Sequence, residues 1–267
     1  MKKTFLILLV LIFSVSAIGY ADDLDQRIDS LLKVLIEDNT LVQKDAFLEL
    51  KKIGRPALPK MVELMRDETK PAMTRGYALV VIASIGTDEV VPYLEEAAQD
   101  DDFGTRCEAI KYLGKIGSAR AVEILISICK DPAKMLSLDS YYSSRALEKV
   151  TNKEAIPVLL EALQDKDVLV DEGGNKYSID DIAAEALGSI GDPSVIPHLK
   201  AALKDDPRLG GSIAVALGKI GNETAIKILK RISKDDKATP GARNEAKRIL
   251  KNLKTSEALT LPSINRK

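Results

Sequence analysis

The fold is decided by two similar stretches, ALGSIGDPSVIPHL at residues 186–199 and ALGKIGNETAIKIL at residues 216–229. They share their apolar positions and an Ile-Gly pair, and they lie 30 residues apart. A catalytic loop occurs once in a chain, whereas a phrase that recurs at a fixed interval is typical of stacked structural units. The sequence therefore predicts a repeat protein.

The same phrase occurs along most of the chain. Its copies, including a degenerate one at Thr151, end at Gly54, Gly86, Gly117, Thr151, Gly191 and Gly221, with spacings of 32, 31, 34, 40 and 30 residues. Apolar or small residues eight, four and one positions before each end predict one face of an α-helix. The glycine supplies the left-handed backbone that ends this helix, and a second apolar helical pattern follows it. Each unit is an αα-hairpin that needs stacked neighbours to bury its apolar faces.

The pattern A-x-x-x-L-x-x-I-G-x-x-x-A/V-I/V resembles the short HEAT repeat, particularly the kind found in phycobilin lyases, and the resemblance covers residues 41–254. It implies an all-α fold, a right-handed αα-superhelical solenoid of about six hairpins in a single domain over residues 22–254. Residues 24–38 predict an N-terminal capping helix, residues 241–253 a closing helix, and residues 255–267 a flexible tail.

Two longer connections, residues 131–145 and 166–181, join a second helix to the next first helix. In the later one, VLVDE and KYSI flank a Gly-Gly-Asn turn, which predicts a small β-hairpin near residues 168–179. Repeat proteins often carry insertions on a binding face, so an aromatic contact patch is one interpretation and ordinary loop variation is the other. The patch would contain Tyr141, Tyr142 and Tyr177.

Residues 1–21 have the pattern of a cleavable secretory signal peptide. Two lysines precede an apolar run over residues 5–13, and small residues occur at Gly19 and Ala21. The apolar run is shorter than the roughly 20 residues of a membrane span, so we expect cleavage after Ala21 rather than an uncleaved anchor. The mature protein is then expected in the periplasm or outside a bacterial cell, without a stable membrane anchor.

The single histidine, His198, limits the enzymatic chemistry that the chain can carry. One HEAT-repeat family holds a di-iron centre on several His-Glu pairs, and this chain lacks the histidines for such a site. One histidine and two cysteines also fall short of a usual zinc site, and His198 has no nucleophile pattern near it. The phycobilin lyases offer no catalytic residues that can be placed on this sequence. We therefore expect no enzymatic activity, no metal and no cofactor.

The two cysteines, Cys107 and Cys129, lie eleven positions either side of the turn at Ser118. Across an antiparallel helix pair they would be level with each other, which allows a disulfide in an oxidising compartment. Two small buried thiols are the alternative. The sequence leaves this choice open.

The charges are distributed unevenly along the chain. Residues 22–191 carry 21 basic and 32 acidic side chains, whereas residues 192–267 carry 16 basic and 8 acidic ones. The HEAT resemblance implies that second helices line a concave groove, which would change from acidic through apolar to basic. Its candidate residues are Glu95, Glu96, Ile126, Leu160, Lys200, Lys230 and Arg231. An exposed apolar floor at Ile126 and Leu160 is typical of a peptide groove, whereas packing between repeats would bury both.

These features favour an exported, non-enzymatic scaffold that binds a protein or peptide of the cell envelope through its groove and loop edge. No nucleic acid is expected as a partner, and the oligomeric state is open. One alternative is a binder of polyanions or membrane surfaces through the basic C-terminal end, which salt would release. A second alternative is a lyase-like HEAT enzyme, which requires a small-molecule pocket.

Overall fold

The computed structural model describes residues 22–36, 40–131, 138–170 and 176–260. Within these ranges the chain forms 14 α-helices and two short strands, so the fold is all-α, as the sequence predicts. The helices are α1 (22–36), α2 (Thr40–Ile53), α3 (Leu58–Arg66), α4 (Ala72–Ala83), α5 (Val91–Ala97), α6 (Phe103–Ile116), α7 (Ala119–Lys130), α8 (Leu138–Leu147), α9 (Ile156–Ala162), α10 (Ile179–Ile190), α11 (Ile196–Asp205), α12 (Gly210–Ile220), α13 (Glu223–Ile232) and α14 (Pro240–Thr260).

The helices alternate in the order that the repeats predict. After α1, the first helices of the hairpins are α2, α4, α6, α8, α10 and α12, and the second helices are α3, α5, α7, α9, α11 and α13. The helix α14 closes the series. The predicted six hairpins, with a helix at each end, are therefore confirmed.

A glycine in the left-handed region follows five of the first helices. The φ angles of Gly54, Gly86, Gly117, Gly191 and Gly221 are 66°, 71°, 57°, 72° and 64°. At Gly191 the backbone N–H donates to the carbonyl of Leu187 at 3.3 Å and closes the last turn of α10. A residue with a Cβ atom is disfavoured in this conformation, which explains why the repeated phrase ends in glycine.

Contacts within the chain define two compact units. They comprise Met1–Ile85 with Asp100–Thr105, and Gly86–Gln99 with Arg106–Lys267. The boundary falls within the single domain that the sequence predicts over residues 22–254. In the first unit α3 packs on α4, and Lys60 of α3 forms ion pairs with Asp25 and Asp29 at 2.8 and 2.5 Å.

In the second unit, helices of the same kind stack on one another. The first helices α8, α10, α12 and α14 pack in succession, and so do the second helices α5, α7 and α9. Small aliphatic side chains form these contacts, and Ala183, Leu187, Ala216 and Leu217 are fully buried. The residues of the repeated phrase are therefore the interfaces between repeats.

The first helices α10 and α12 approach closely at Gly188. A Cβ atom at Gly188 would lie 2.3 Å from the Cα atom of Ala216 on α12. This distance is far inside van der Waals contact, so any side chain at Gly188 would push the two helices apart. The first glycine of the phrase thus has a packing role, distinct from the turn at Gly191.

Two three-residue strands lie where the sequence predicts a β-hairpin. The strand β1 (Val168–Val170) pairs antiparallel with β2 (Lys176–Ser178), so that Leu169 is opposite Tyr177. The residues that join them, 171–175, lie outside the described structure. The next helix begins immediately after β2.

The closing helix α14 extends further than the sequence predicts. It ends at Thr260, so residues 255–260 are helical where a flexible tail is predicted. This part contains the good helix formers Glu257, Ala258 and Leu259, and the hydroxyl of Thr255 donates to the carbonyl of Lys251 at 3.0 Å. Residues 261–267 lie outside the described structure.

The predicted signal peptide, residues 1–21, also lies outside the described residues. Among the helices that are described, none combines the length and the apolar character needed to cross a membrane.

Replacing Gly188 by alanine should destabilise the protein, because the new Cβ atom would overlap Ala216. We expect a loss of about 1–3 kcal/mol in the free energy of unfolding, measured by urea denaturation. Gly211 of α12 has no atom within 4 Å of its Cβ position and is the matched control. Gly211→Ala should stabilise the protein by about 0.4–1 kcal/mol. Equal effects of the two substitutions would show that α10 and α12 are not in close contact.

Candidate functional site: a basic cleft between α11 and α13

The acidic side chain Glu95, predicted at one end of the groove, is engaged within the protein. Arg120 of α7 donates to both carboxylate oxygens of Glu95 at 3.0 Å and also bonds Glu123 at 3.2 Å. Hydrogen bonds to Glu123 and then to Glu95 raise the pKa of Arg120. Glu96 is exposed on the same helix as Glu95. Much of the predicted acidic character is therefore balanced by an internal ion pair.

The apolar residues of the predicted groove are half-buried. Ile126 of α7 and Leu160 of α9 each follow a side chain that is fully buried, Leu125 and Leu159. They have neither the exposure of an open groove floor nor the burial of a core residue. The structure thus places them between the two alternatives that the sequence leaves open.

The structure describes part of the predicted aromatic contact patch. Tyr141 and Tyr142 of α8 are 47% and 41% exposed, and their ring centroids are 5.6 Å apart in an edge-to-face arrangement. The backbone of Tyr177 pairs with Leu169, but its side chain lies outside the described structure.

Cys107 and Cys129 are not joined by a disulfide. The thiol of Cys129 on α7 donates to the carbonyl of Ser140 on α8 at 3.7 Å, and the Ser140 hydroxyl donates to the Cys129 carbonyl at 3.4 Å. Burial raises the pKa of the Cys129 thiol to about 12. The structure corresponds to two separate thiols, because Cys129 bonds α8 while Cys107 lies on α6.

The residues present do not fit a histidine-carboxylate metal centre. His198 of α11 is exposed. In the described part of the chain, no three histidine, cysteine or acidic side chains lie where they could hold a metal ion together.

A cleft of about 600 Å³ opens between the second helices α11 and α13. It is a surface cleft that is open to solvent on one side. The apolar lining includes Leu203 of α11 with Ile228 and Ile232 of α13. The cationic lining consists of Lys200 and Lys204 of α11 with Arg231 of α13. A charged hollow of about 500 Å³ adjoins the cleft, shares Arg231 and Asp235 with it, and adds Lys227, Lys230 and Lys234.

The helix α11, on one side of the cleft, is held mainly by elements other than the second helices. The helix α5 packs on α7, and α7 packs on α9, whereas in the described chain α11 makes its main contacts with α12 and with two 3-10 turns. These turns are Pro193–Val195 and Pro207–Leu209. The cleft lies on the side of α11 that faces α13.

The cations of the cleft lack internal partners. Within the described residues, none of the six lysine and arginine side chains named above lies within ion-pair distance of a carboxylate. This differs from Arg120, which bonds two glutamates. The unbalanced positive charge, together with the apolar lining, is the combination expected of a site for an anion with an apolar part.

Lys200, Lys230 and Arg231 are among the groove residues predicted from the sequence, whereas the other three cations are not. The predicted residues lie nine and ten positions after a repeat glycine, and Lys204, Lys227 and Lys234 lie at other positions. The spacing of Lys227, Lys230, Arg231 and Lys234 could have revealed them, because positions i, i+3, i+4 and i+7 share one face of a helix.

Comparison with known proteins establishes the class of this protein. A family model for HEAT repeats matches residues 68–136 and 175–251, which together make up more than half of the chain. A model for the PBS lyase HEAT-like repeat matches residues 141–165. The chain therefore belongs to the HEAT-repeat family.

Among individual proteins, the chain is similar to deoxyhypusine hydroxylase from Candida albicans, with 27% identity over 111 residues. The match covers 42% of this chain and 35% of the hydroxylase, so the chain spans about a third of the length of that curated relative. A lipovitellin structure is similar in fold, with a TM-score of 0.58 and 13% identity over 85% of this chain and 26% of that one. The phycocyanin lyase complex from Nostoc gives a TM-score of 0.41 at 17% identity, over 85% of this chain and 94% of that one.

The similarity to a hydroxylase overturns the expectation of a non-enzymatic scaffold. The expectation that the chain is not an enzyme is corrected for the same reason. It rested on the missing histidines, which argue against one kind of metal site and do not address enzymes that need none. Of the alternatives considered from the sequence, the findings favour the lyase-like HEAT enzyme.

Thiol labelling should distinguish the two cysteines. With its pKa near 12 rather than 9.0, Cys129 carries about a thousandfold less thiolate than an ordinary thiol at neutral pH, so its reaction should be slow and should accelerate as the pH rises. The rate is measured with a chromogenic disulfide on Cys107→Ser, and Cys129→Ser is the control, in which Cys107 should react faster. Unfolding the protein without reductant should expose two thiols. Finding none would show that a disulfide joins them.

Proposed function

We propose that this chain is a lyase-like HEAT-repeat enzyme that binds a small organic anion in the cleft between α11 and α13. The observation that carries the proposal is the cleft itself, whose cations lack internal partners and surround an apolar lining. The match to the PBS lyase HEAT-like repeat and the similarity to an enzyme support it. A lyase-like enzyme requires a small-molecule pocket, and the cleft is the candidate for it.

Hydroxylase chemistry on a histidine-bound metal is not part of the proposal. The chain contains one histidine, and His198 is exposed on α11. A HEAT-repeat fold hosts different activities on the same architecture, so similarity to a hydroxylase does not transfer its reaction.

The side chains of the cleft are suited to a reaction that moves protons and stabilises negative charge. Lys200, Lys204 and Arg231 are donors that can stabilise an anion as it forms, most strongly where substrate excludes water. Asp235 supplies a carboxylate that can accept a proton. Its Oδ1 atom accepts the backbone N–H of Lys237 at 2.9 Å, which holds the side chain in place. These groups support addition or elimination next to an acidic group of the substrate, the type of reaction that lyases perform.

Export of the protein is part of the same proposal. The lysines, apolar run and small residues of positions 1–21 support a signal peptide that ends at Ala21. The N-terminal peptide of the protein isolated from its own cells would then begin at Asp22, as sequencing by mass spectrometry can determine. An N-terminal peptide that still contains residues 1–21 would contradict export by cleavage.

Reversing two charges of the cleft should abolish binding and turnover of the substrate. Native mass spectrometry of the purified protein should detect a small anion that is released on denaturation, and incubation of this anion with fresh protein should change its mass. Lys200→Glu with Arg231→Glu should lose both effects, because the anion would face carboxylates.

The double variant Lys247→Glu with Lys251→Glu is the matched control. It makes the same change in net charge at exposed positions of α14 that do not line the cleft. Binding and turnover should persist in it. Loss in both double variants would attribute the effect to net charge, and a recovered anion that never changes mass would contradict an enzyme.

A further inference from the structure

We infer that the ligand of the cleft is a phosphate ester of an apolar group, an inference that rests on the proposed function. The phosphate would bind Lys227, Lys230 and Lys234 in the charged hollow, and the apolar group would lie on Leu203, Ile228 and Ile232. The two parts of the site are contiguous because Arg231 and Asp235 line both.

The helix α13 and the turn after it carry a run of positive charges on the side of the cleft. Lys227, Lys230, Arg231 and Lys234 occupy positions i, i+3, i+4 and i+7, where like charges repel one another. At five other places along the chain, side chains three positions apart form ion pairs of opposite sign. These pairs are Glu49–Lys52, Glu108–Lys111, Arg120–Glu123, Arg145–Glu148 and Glu245–Arg248. A bound anion would relieve the repulsion among these four cations.

The number of cations favours a phosphate over a carboxylate. A carboxylate has one negative charge and two oxygens, and a single Arg231 could satisfy it with two parallel hydrogen bonds. A phosphate monoester carries about 1.5–2 negative charges at neutral pH and presents three strongly accepting oxygens. Lys227, Lys230 and Lys234 offer flexible ammonium groups that bind phosphate as point charges, beside the planar guanidinium of Arg231.

The apolar side of the site explains why the ligand is an ester and not free phosphate. Ile228 and Leu203 are half-buried and form a surface that an apolar group can cover, while Ile232, which is 5% exposed, lies beneath it. Covering it removes apolar area from water at about 25 cal/mol per Å². Inorganic phosphate would gain only the charge interaction, whereas an ester gains both.

Calorimetric titration with four soluble probes tests this inference: decyl phosphate, decanoate, inorganic phosphate and decyltrimethylammonium, all below micelle-forming concentrations. Decyl phosphate should bind about tenfold or more tightly than decanoate, because it engages more cations. Inorganic phosphate should bind more weakly than decyl phosphate, and the cationic probe should not bind. Vesicles that contain phosphatidic acid form a separate arm, in which binding should not exceed that of soluble decyl phosphate.

The double variant Lys227→Gln with Lys234→Gln should remove the preference for decyl phosphate and leave decanoate binding within about twofold, since Lys200, Lys204 and Arg231 remain. The control Lys247→Gln with Lys251→Gln should retain the preference. Circular dichroism of each variant verifies that the helices are intact.

The outcomes separate this inference from the proposed function. Equal affinity for decanoate and decyl phosphate would overturn the phosphate ester and leave an organic anion as ligand. Binding to phosphatidic acid vesicles without binding to soluble decyl phosphate would overturn it in favour of a membrane surface. Failure of every anion to bind would overturn both the inference and the proposed function.

Discussion

Five of the six second helices of this protein take their direction from a glycine with a positive φ angle. At Gly191 and Gly221 the chain turns at the end of a first helix and sends α11 and α13 back along it. Helices of the same kind then lie side by side, so their apolar stripes can meet. The contact of Gly188 with Ala216 depends on this alignment, and so does the cleft between α11 and α13.

The sequence predicts the fold well because the repeated phrase contains the two sequence features that determine the fold. The apolar spacing defines which face of each helix is buried, and the glycine defines where the chain turns. The site is harder to predict because the separation of α11 and α13 is not recorded in either pattern. It depends on how the 3-10 turn Pro207–Leu209 and α12 hold α11, which involves contacts between repeats.

The positions and partners of individual side chains are also hard to predict from the sequence. Lys230 and Arg231 are found from their distance to the repeat glycine Gly221. Lys227 and Lys234 become apparent only when the whole face of the helix is considered. The spacing of Cys107 and Cys129 places them level along two helices, but the direction of Cys129 depends on Ser140 of α8. Counts of charged residues along the sequence do not show which charges form ion pairs. Glu95 pairs with Arg120, whereas the cations of α13 have no ion-pair partner among the described residues.

The contact at Gly188 also affects how such a protein can change over evolutionary time. Where a first helix touches its neighbour with no room for a methyl group, mutation has almost no freedom, and those positions must keep their residues. The exposed side chains that line the cleft between α11 and α13 lie away from that contact, and substitutions at exposed positions usually cost little stability. The charges of the cleft can therefore change among descendants of one ancestor, through a few codons of a single helix, while the architecture stays the same.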